Sequence, residues 1–128
     1  MSDRETALHS LSIGDIFHGR SPNGASLVCL VTAVTDAVIF ARRITTQDDH
    51  QFDRRTGTEL GESRGTIDCV APLPPDVQEV LLALDRRGRI VAEMHRAGIE
   101  PDPEQYKLTP AERRALRYID QNTAANPI

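Results

Sequence analysis

Four histidines and one short acidic run are the residues of this chain best suited to acid–base or metal chemistry. His9, His18, His50 and His95 fall in four separate segments. None lies at a ligand spacing from another histidine or from a cysteine, so the sequence predicts no metal site and places these rings at the surface or rim. Glycine-rich phosphate loops and serine elbow motifs are also missing from the sequence, so we predict no cofactor.

The run Asp48-Asp49-His50 could form a carboxylate–imidazole group. General acid–base catalysis requires such groups to converge in a pocket, whereas adjacent residues on a polar loop usually point into solvent. An enzyme that uses these residues or the nearby arginines is therefore the third of three functional hypotheses. The sequence favours a protein without catalytic activity.

Arginines in the second half of the strand-like region form the strongest polar feature. Guanidinium groups from neighbouring strands could share one face and clamp a phosphate, a carboxylate or a nucleic-acid backbone. The alternative is that interspersed carboxylates neutralise them on a solvated sheet edge, which the local excess of negative charge favours. The candidate anion- or partner-binding residues are Arg42, Arg43, Arg54, Arg55 and Arg64.

Composition and charge limit the class of protein. The chain has 128 residues, which suits one domain, and its formal net charge of −4 disfavours a general nucleic-acid binder. Cys29 and Cys69 lie inside apolar runs and are interpreted as reduced, buried thiols, although a disulfide in an oxidising compartment stays open. A polar start and the lack of a run of ~20 apolar residues predict a cytoplasmic protein with no membrane contact.

The elements that would position these residues change character near residue 72. Before it, short apolar runs alternate with turn residues, and strands are predicted over 13–18, 25–34, 37–44, 51–54, 58–60 and 66–70. The run 25–34 is apolar on both faces, with Leu27, Cys29 and Val31 on one side and Val28, Leu30 and Val34 on the other. The pattern predicts a strand covered on both sides. We therefore expect an α+β fold that starts with a small, strongly bent antiparallel sheet or SH3-like barrel of five to six short strands.

Two to three helices are predicted to follow the sheet. Residues 71–75 form a proline-rich connector, and the apolar spacing that starts at Val77 predicts a helix that continues through Gly88 and ends at Gly98. Thr109 and Glu112 form a capping box for the next helix. The whole is one domain, 1–128, with a β unit over 13–70, a helical unit over 76–121 and a disordered tail over 122–128.

The function favoured by the sequence is a small binding or adaptor module that contacts an anionic or protein partner through the sheet arginines. This hypothesis requires Arg42, Arg43, Arg54 and Arg55 to converge on one exposed concave surface. The alternative is a self-associating structural or accessory subunit, such as a homodimer, because the apolar helix over 77–94 could serve both a core and a partner.

Overall fold

The α+β architecture predicted from the sequence is confirmed. A computed structural model describes residues 2–128. A first short helix precedes the sheet, and the remaining helices follow it. The elements are α1 (Asp3–His9), β1 (Ile16–Arg20), β2 (Ser26–Val34), β3 (Val38–Arg43), β4 (Asp49–Asp53), β5 (Thr66–Cys69), α2 (Pro75–Arg96), a 3₁₀ helix (Pro103–Tyr106) and α3 (Pro110–Ala125).

The five strands form one antiparallel sheet in the order β4-β3-β2-β1-β5, which curls strongly into a half-barrel. The distance between the rings of Phe17 on β1 and Phe52 on β4 shows how strongly the sheet curls. In a flat sheet three strand spacings would separate them by about 14 Å. Their rings instead meet edge to face with centroids 5.3 Å apart. The strand predicted over 58–60 is reduced to single bridges that join Thr58 to β5 and Glu59 to β4.

Strand β2 separates two hydrophobic cores, as its two apolar faces predict. Leu27, Cys29 and Val31 belong to an inner core that α1 and all five strands enclose. Val28 belongs to an outer core between the sheet and helices α2 and α3. The prediction is wrong for Val34, which packs against the inner core. The register of β2 against β3 shifts between Val31 and Ala33, and such a bulge exchanges the faces of the residues beyond it.

Both ends of helix α2 and the start of helix α3 agree with the sequence prediction. Helix α2 starts at Pro75, continues through Gly88 and ends at Arg96. Gly98, with φ 74°, and Ile99 then donate their amides to the carbonyls of His95 and Met94, which is a Schellman motif. Thr109 and Glu112 cap α3 reciprocally.

The C-terminal residues differ from the predicted disordered tail over 122–128. Helix α3 extends to Ala125, and Ile128 then packs against the inner core. The amide of Ile128 donates to the carbonyl of Asp68 on β5, at 2.8 Å. The polar composition of this segment misled the prediction, because its order comes from contacts with the sheet rather than from its own sequence.

In the described range 2–128, no helix combines the length and the apolar character needed to cross a membrane. The cytoplasmic location stays a prediction.

Candidate functional site

The first two candidate arginines point to opposite faces of β3, because adjacent residues of a strand alternate. Arg42 faces α2 and donates two hydrogen bonds to the carboxylate of Asp85, at 3.0 and 2.8 Å. Arg43 lies on the face of Ile39 and Ala41 and donates to the backbone carbonyl of Ser26, at 2.9 Å. Arg42 is thereby committed to an internal ion pair, and its neighbour contacts the backbone of β2.

The other three candidate arginines do not join them. Arg54 donates to the carbonyls of Thr35, His9 and Leu11 at 2.7 to 3.1 Å, so it fastens the β2–β3 loop to the end of α1. Arg55 is exposed at a turn, and exposed Arg64 lies beside the loop that follows β1. The four arginines that the hypothesis requires to converge, at 42, 43, 54 and 55, therefore do not form a single concave surface. Their role in binding stays a prediction.

The residues of the acidic run Asp48-Asp49-His50 also point in different directions. Asp48 and Asp49 are exposed, as predicted, although Asp49 begins strand β4 and does not lie on a loop. His50 turns inward instead and places Nδ1 2.7 Å from a carboxylate oxygen of Glu59. The other oxygen of Glu59 accepts from the amide of Gly65, at 3.1 Å. The pair of His50 and Glu59 therefore joins β4 to the bridging segment 58–59. The two aspartates take no part in it.

A polar cluster that the sequence did not indicate lies between the sheet and the end of α3. His18 on β1 is only 6% exposed, so the prediction of a surface or rim position is wrong for this residue. It points to the outer-core side, as Ile16 does, where α3 covers the sheet. Ser26 reaches the same side because Arg20 pairs with Ser26 and His18 with Val28, which makes His18 and Ser26 diagonal neighbours.

Both ring nitrogens of His18 have hydroxyl partners. Nδ1 lies 2.5 Å from Oγ1 of Thr123, and Nε2 lies 2.6 Å from Oγ of Ser26. A carboxylate oxygen of Asp120 is 3.3 Å from Nε2. Burial lowers the pKa of His18 below 6.5, although the carboxylates of Asp120 and Asp68 act in the opposite direction. The ring is therefore neutral at pH 7.

The hydroxyl of Thr123 fixes which nitrogen of the ring carries the proton. It donates its own proton to the carbonyl of Ile119, at 2.8 Å, so towards His18 it acts as an acceptor. Nδ1 of His18 must then be the protonated nitrogen, because a neutral imidazole has one donor and one acceptor. Nε2 is left as the acceptor for the hydroxyl of Ser26.

A groove of about 460 Å³ opens beside this cluster, and we call it the His18 groove. Arg20 is the single cation among its lining residues, and it is bound to Asp68 at 2.5 Å. Asp120 is 60% exposed and faces solvent. The groove therefore combines a neutral imidazole, an accessible carboxylate and an apolar wall. Its lining residues are His18, Arg20, Asp68, Asp120, Thr123, Ala124, Pro127 and Ile128.

Local sequence carried only part of the signal for this site. Asp120 and Thr123 stand three residues apart, which places them on one side of a helix. That spacing says nothing about which strand the helix will cover, so the pairing with His18 was invisible. Across residues 2–128 the structure has no group of three or more His, Cys, Asp or Glu side chains able to hold a metal ion.

Comparison with protein-family models, curated proteins and solved structures gave no match.

Proposed function

We propose that this chain is a small binding module and that its ligand occupies the His18 groove. The observation that carries the proposal is the convergence of β1, β5 and the C-terminal end of α3 on one concave, partly apolar surface. The volume of about 460 Å³ lies within the range of small-molecule sites, which typically combine an apolar lining with a few well-placed polar groups. A titratable group with a shifted pKa in such a groove adds support.

The charges at the groove favour a cationic ligand group. Asp68 is neutralised by Arg20, and the burial of His18 keeps the imidazole uncharged at pH 7. The exposed carboxylate of Asp120 then gives the site a net negative charge. Beside it, Pro127 and Ile128 offer an apolar wall. A ligand that joins an ammonium or guanidinium to an apolar group, such as a basic side chain of a protein partner, has the matching chemistry.

This proposal places the binding surface at the His18 groove and not at the sheet arginines. An anionic partner would need several free guanidiniums on one surface, whereas Arg42 is paired with Asp85 and Arg54 with backbone carbonyls. Self-association through α2, which is the alternative hypothesis, would have to use the outer side of this helix. Its inner face, with Leu81 and Leu84, is occupied by the outer core.

A fragment titration followed by ¹H–¹⁵N NMR tests the proposed site and its charge preference. Benzylamine, benzyl alcohol and benzoate share an aromatic ring and differ in charge. We expect benzylamine to bind with a dissociation constant on the order of millimolar, which is usual for so small a ligand. It should shift the amides around Asp120, Thr123 and Ile128, while benzoate at the same concentration should not.

Asp120→Asn is the variant that isolates the carboxylate. An exposed ion pair contributes about 0.2–1 kcal/mol, so we expect the affinity for benzylamine to fall by roughly 1.4- to fivefold. Asp36→Asn is the matched control, because Asp36 is exposed in the β2–β3 loop. Equal binding of benzoate, or shifts centred away from α3, would overturn the proposed site.

A further inference from the structure

The hydroxyl of Ser26 has the surroundings of an activated nucleophile. Ser26 is exposed at the start of β2, and its Oγ lies 2.6 Å from Nε2 of His18. A serine is a weak nucleophile unless an adjacent base takes its proton, and hydrogen-bond contact between the two groups is the structural sign of such a pair. Ser26 does not line the His18 groove, so this feature goes beyond the proposed binding function.

The base in this pair has the required tautomer and the required charge. Thr123 accepts from Nδ1 and donates to the carbonyl of Ile119, which directs the lone pair of Nε2 at Ser26. Burial keeps the ring neutral at pH 7, so that lone pair is free to accept a proton. A third group that orients the base is the arrangement found in serine hydrolases generally.

Asp120 supplies charge where the base becomes protonated. Its carboxylate oxygen lies 3.3 Å from Nε2 of His18 and 3.4 Å from Oγ of Ser26. When Nε2 takes the serine proton, the imidazolium gains a neighbouring negative charge, which stabilises it. The two oxygens and the nitrogen therefore form a compact proton-transfer unit at the surface.

We infer that Ser26 is a reactive nucleophile that accepts acyl groups from activated carboxylic esters, with His18 as its general base and Thr123 as a positioning residue. The oxygen of Ser26 forms a bond to the carbonyl carbon while its proton moves to Nε2 of His18. The bond from that carbon to the leaving oxygen breaks, and the leaving oxygen takes the proton from His18. Water then attacks the acyl-serine by the same proton route and releases the carboxylic acid and free Ser26.

Acetylation by p-nitrophenyl acetate, followed by peptide mass spectrometry, tests this inference on the full chain. Ser63, exposed in the turn before β5, is the internal reference for an ordinary serine. A general base contributes about 10²–10⁴ in rate, so we expect Ser26 to be acetylated at least about 100-fold faster than Ser63. Ser26→Ala should abolish the p-nitrophenolate burst, whereas Ser63→Ala should not change it.

The pH profile and two variants of Thr123 separate reactivity from structure. The charged groups that face His18 are Asp120 from α3, Asp68 from β5 and Arg20 from its own strand. The rate at Ser26 should rise with pH and reach a plateau with an apparent pKa below 6.5, since only the neutral ring is a base. Thr123→Val removes the acceptor for Nδ1 and should slow acetylation at least tenfold relative to Thr123→Ser, which retains a hydroxyl.

Three results would overturn the inference. The first is an acetylation rate at Ser26 within tenfold of that at Ser63. The second is equal rates for Thr123→Val and Thr123→Ser, with circular dichroism showing both variants folded. The third is a rate at Ser26 that still rises with pH above pH 7 and reaches no plateau, because a base with a pKa below 6.5 is already neutral there. None of these results tests benzylamine binding to the unmodified protein, so either proposal can fail without the other.

Discussion

Replacing Asp85 by alanine should strongly destabilise the protein, because this carboxylate joins the sheet to α2. Its side chain is 2% exposed and accepts two hydrogen bonds from Arg42 and a third from Gln47. Burial alone would raise the pKa of Asp85, but the hydrogen bonds from Arg42 and Gln47 outweigh it, so the pKa lies below 3.8. The carboxylate is therefore charged and paired at neutral pH.

The loss of stability is large because the substitution leaves a partly buried cation without its partner. Asp85→Ala strands the guanidinium of Arg42, whose side chain is 20% exposed. Breaking a fully buried ion pair costs about 3–5 kcal/mol. Partial access of water to Arg42 reduces this, and we expect a loss of about 2–4 kcal/mol in the free energy of unfolding. That is a large fraction of the ~5–15 kcal/mol that stabilises a typical domain.

Urea denaturation of a double-mutant cycle measures this loss and assigns it to the pair. The cycle contains Asp85→Ala, Arg42→Ala and the double variant, and we expect a coupling energy of about 1.5–3 kcal/mol, as for hydrogen bonds to charged groups. Glu93→Ala is the control on the same helix, because its pair with Arg96 is 3.5 Å long and both side chains are more than 70% exposed. It should change stability by less than about 0.5 kcal/mol. A loss below 1 kcal/mol for Asp85→Ala, or a coupling energy near zero, would refute the reasoning.

Four further tests address other parts of the fold. Gly19→Ala should cost more than about 2 kcal/mol by urea denaturation, because a Cβ would overlap the carbonyl oxygen of Thr66 on β5. Thr109→Ala should cost about 1 kcal/mol in the same assay, since it removes the N-cap of α3. Burial raises the pKa of Cys29 to about 12, so its thiol should stay unreactive towards a disulfide reagent at pH 8 until urea unfolds the chain. Because the pKa of His18 is below 6.5 only in the folded state, the free energy of unfolding should fall as the pH falls below 6.5, and His18→Gln should remove that part of the slope.

Each of these expectations has a result that contradicts it. A Gly19→Ala protein as stable as the parent would mean that β1 and β5 are not paired in the register described. Unchanged stability of Thr109→Ala would mean that water replaces the cap at no cost. Labelling of Cys29 in the native protein at the rate of the unfolded chain would contradict its burial. An identical pH dependence in His18→Gln would show that other groups cause the slope.

Local patterns in the sequence were sufficient for the architecture. A strand with apolar residues on both faces must be covered on both sides, and β2 does separate two cores. The helix that passes through Gly88 and the capping box at Thr109 followed in the same way, because capping and periodicity involve residues only a few positions apart. Val34 shows the limit of this reasoning, since one bulge reverses the faces that simple alternation predicts.

The candidate arginines show why a local pattern does not determine which side chains converge in the fold. Arg42 and Arg43 are adjacent in sequence, so the strand sends them to different faces. The partner of Arg42 is Asp85, which lies 43 positions away on α2, and only the docking of that helix brings the two together. Strand geometry allows only one arginine of each adjacent pair to share a face, and no local pattern indicates which partner that arginine meets.

The sequence by itself determined most of the strands, helix α2, the start of helix α3 and most of the apolar faces, because those properties depend on neighbours a few residues apart. Tertiary structure alone decided that His18, which meets Ser26 across a hairpin, would also meet Thr123 at a distance of 105 positions along the chain. The register of β1 against β2 and the placement of α3 over β1 make these contacts. The register is a property of the short turn over 21–25, whereas the placement of α3 depends on the packing of the outer core as a whole, and no short stretch of the chain encodes it.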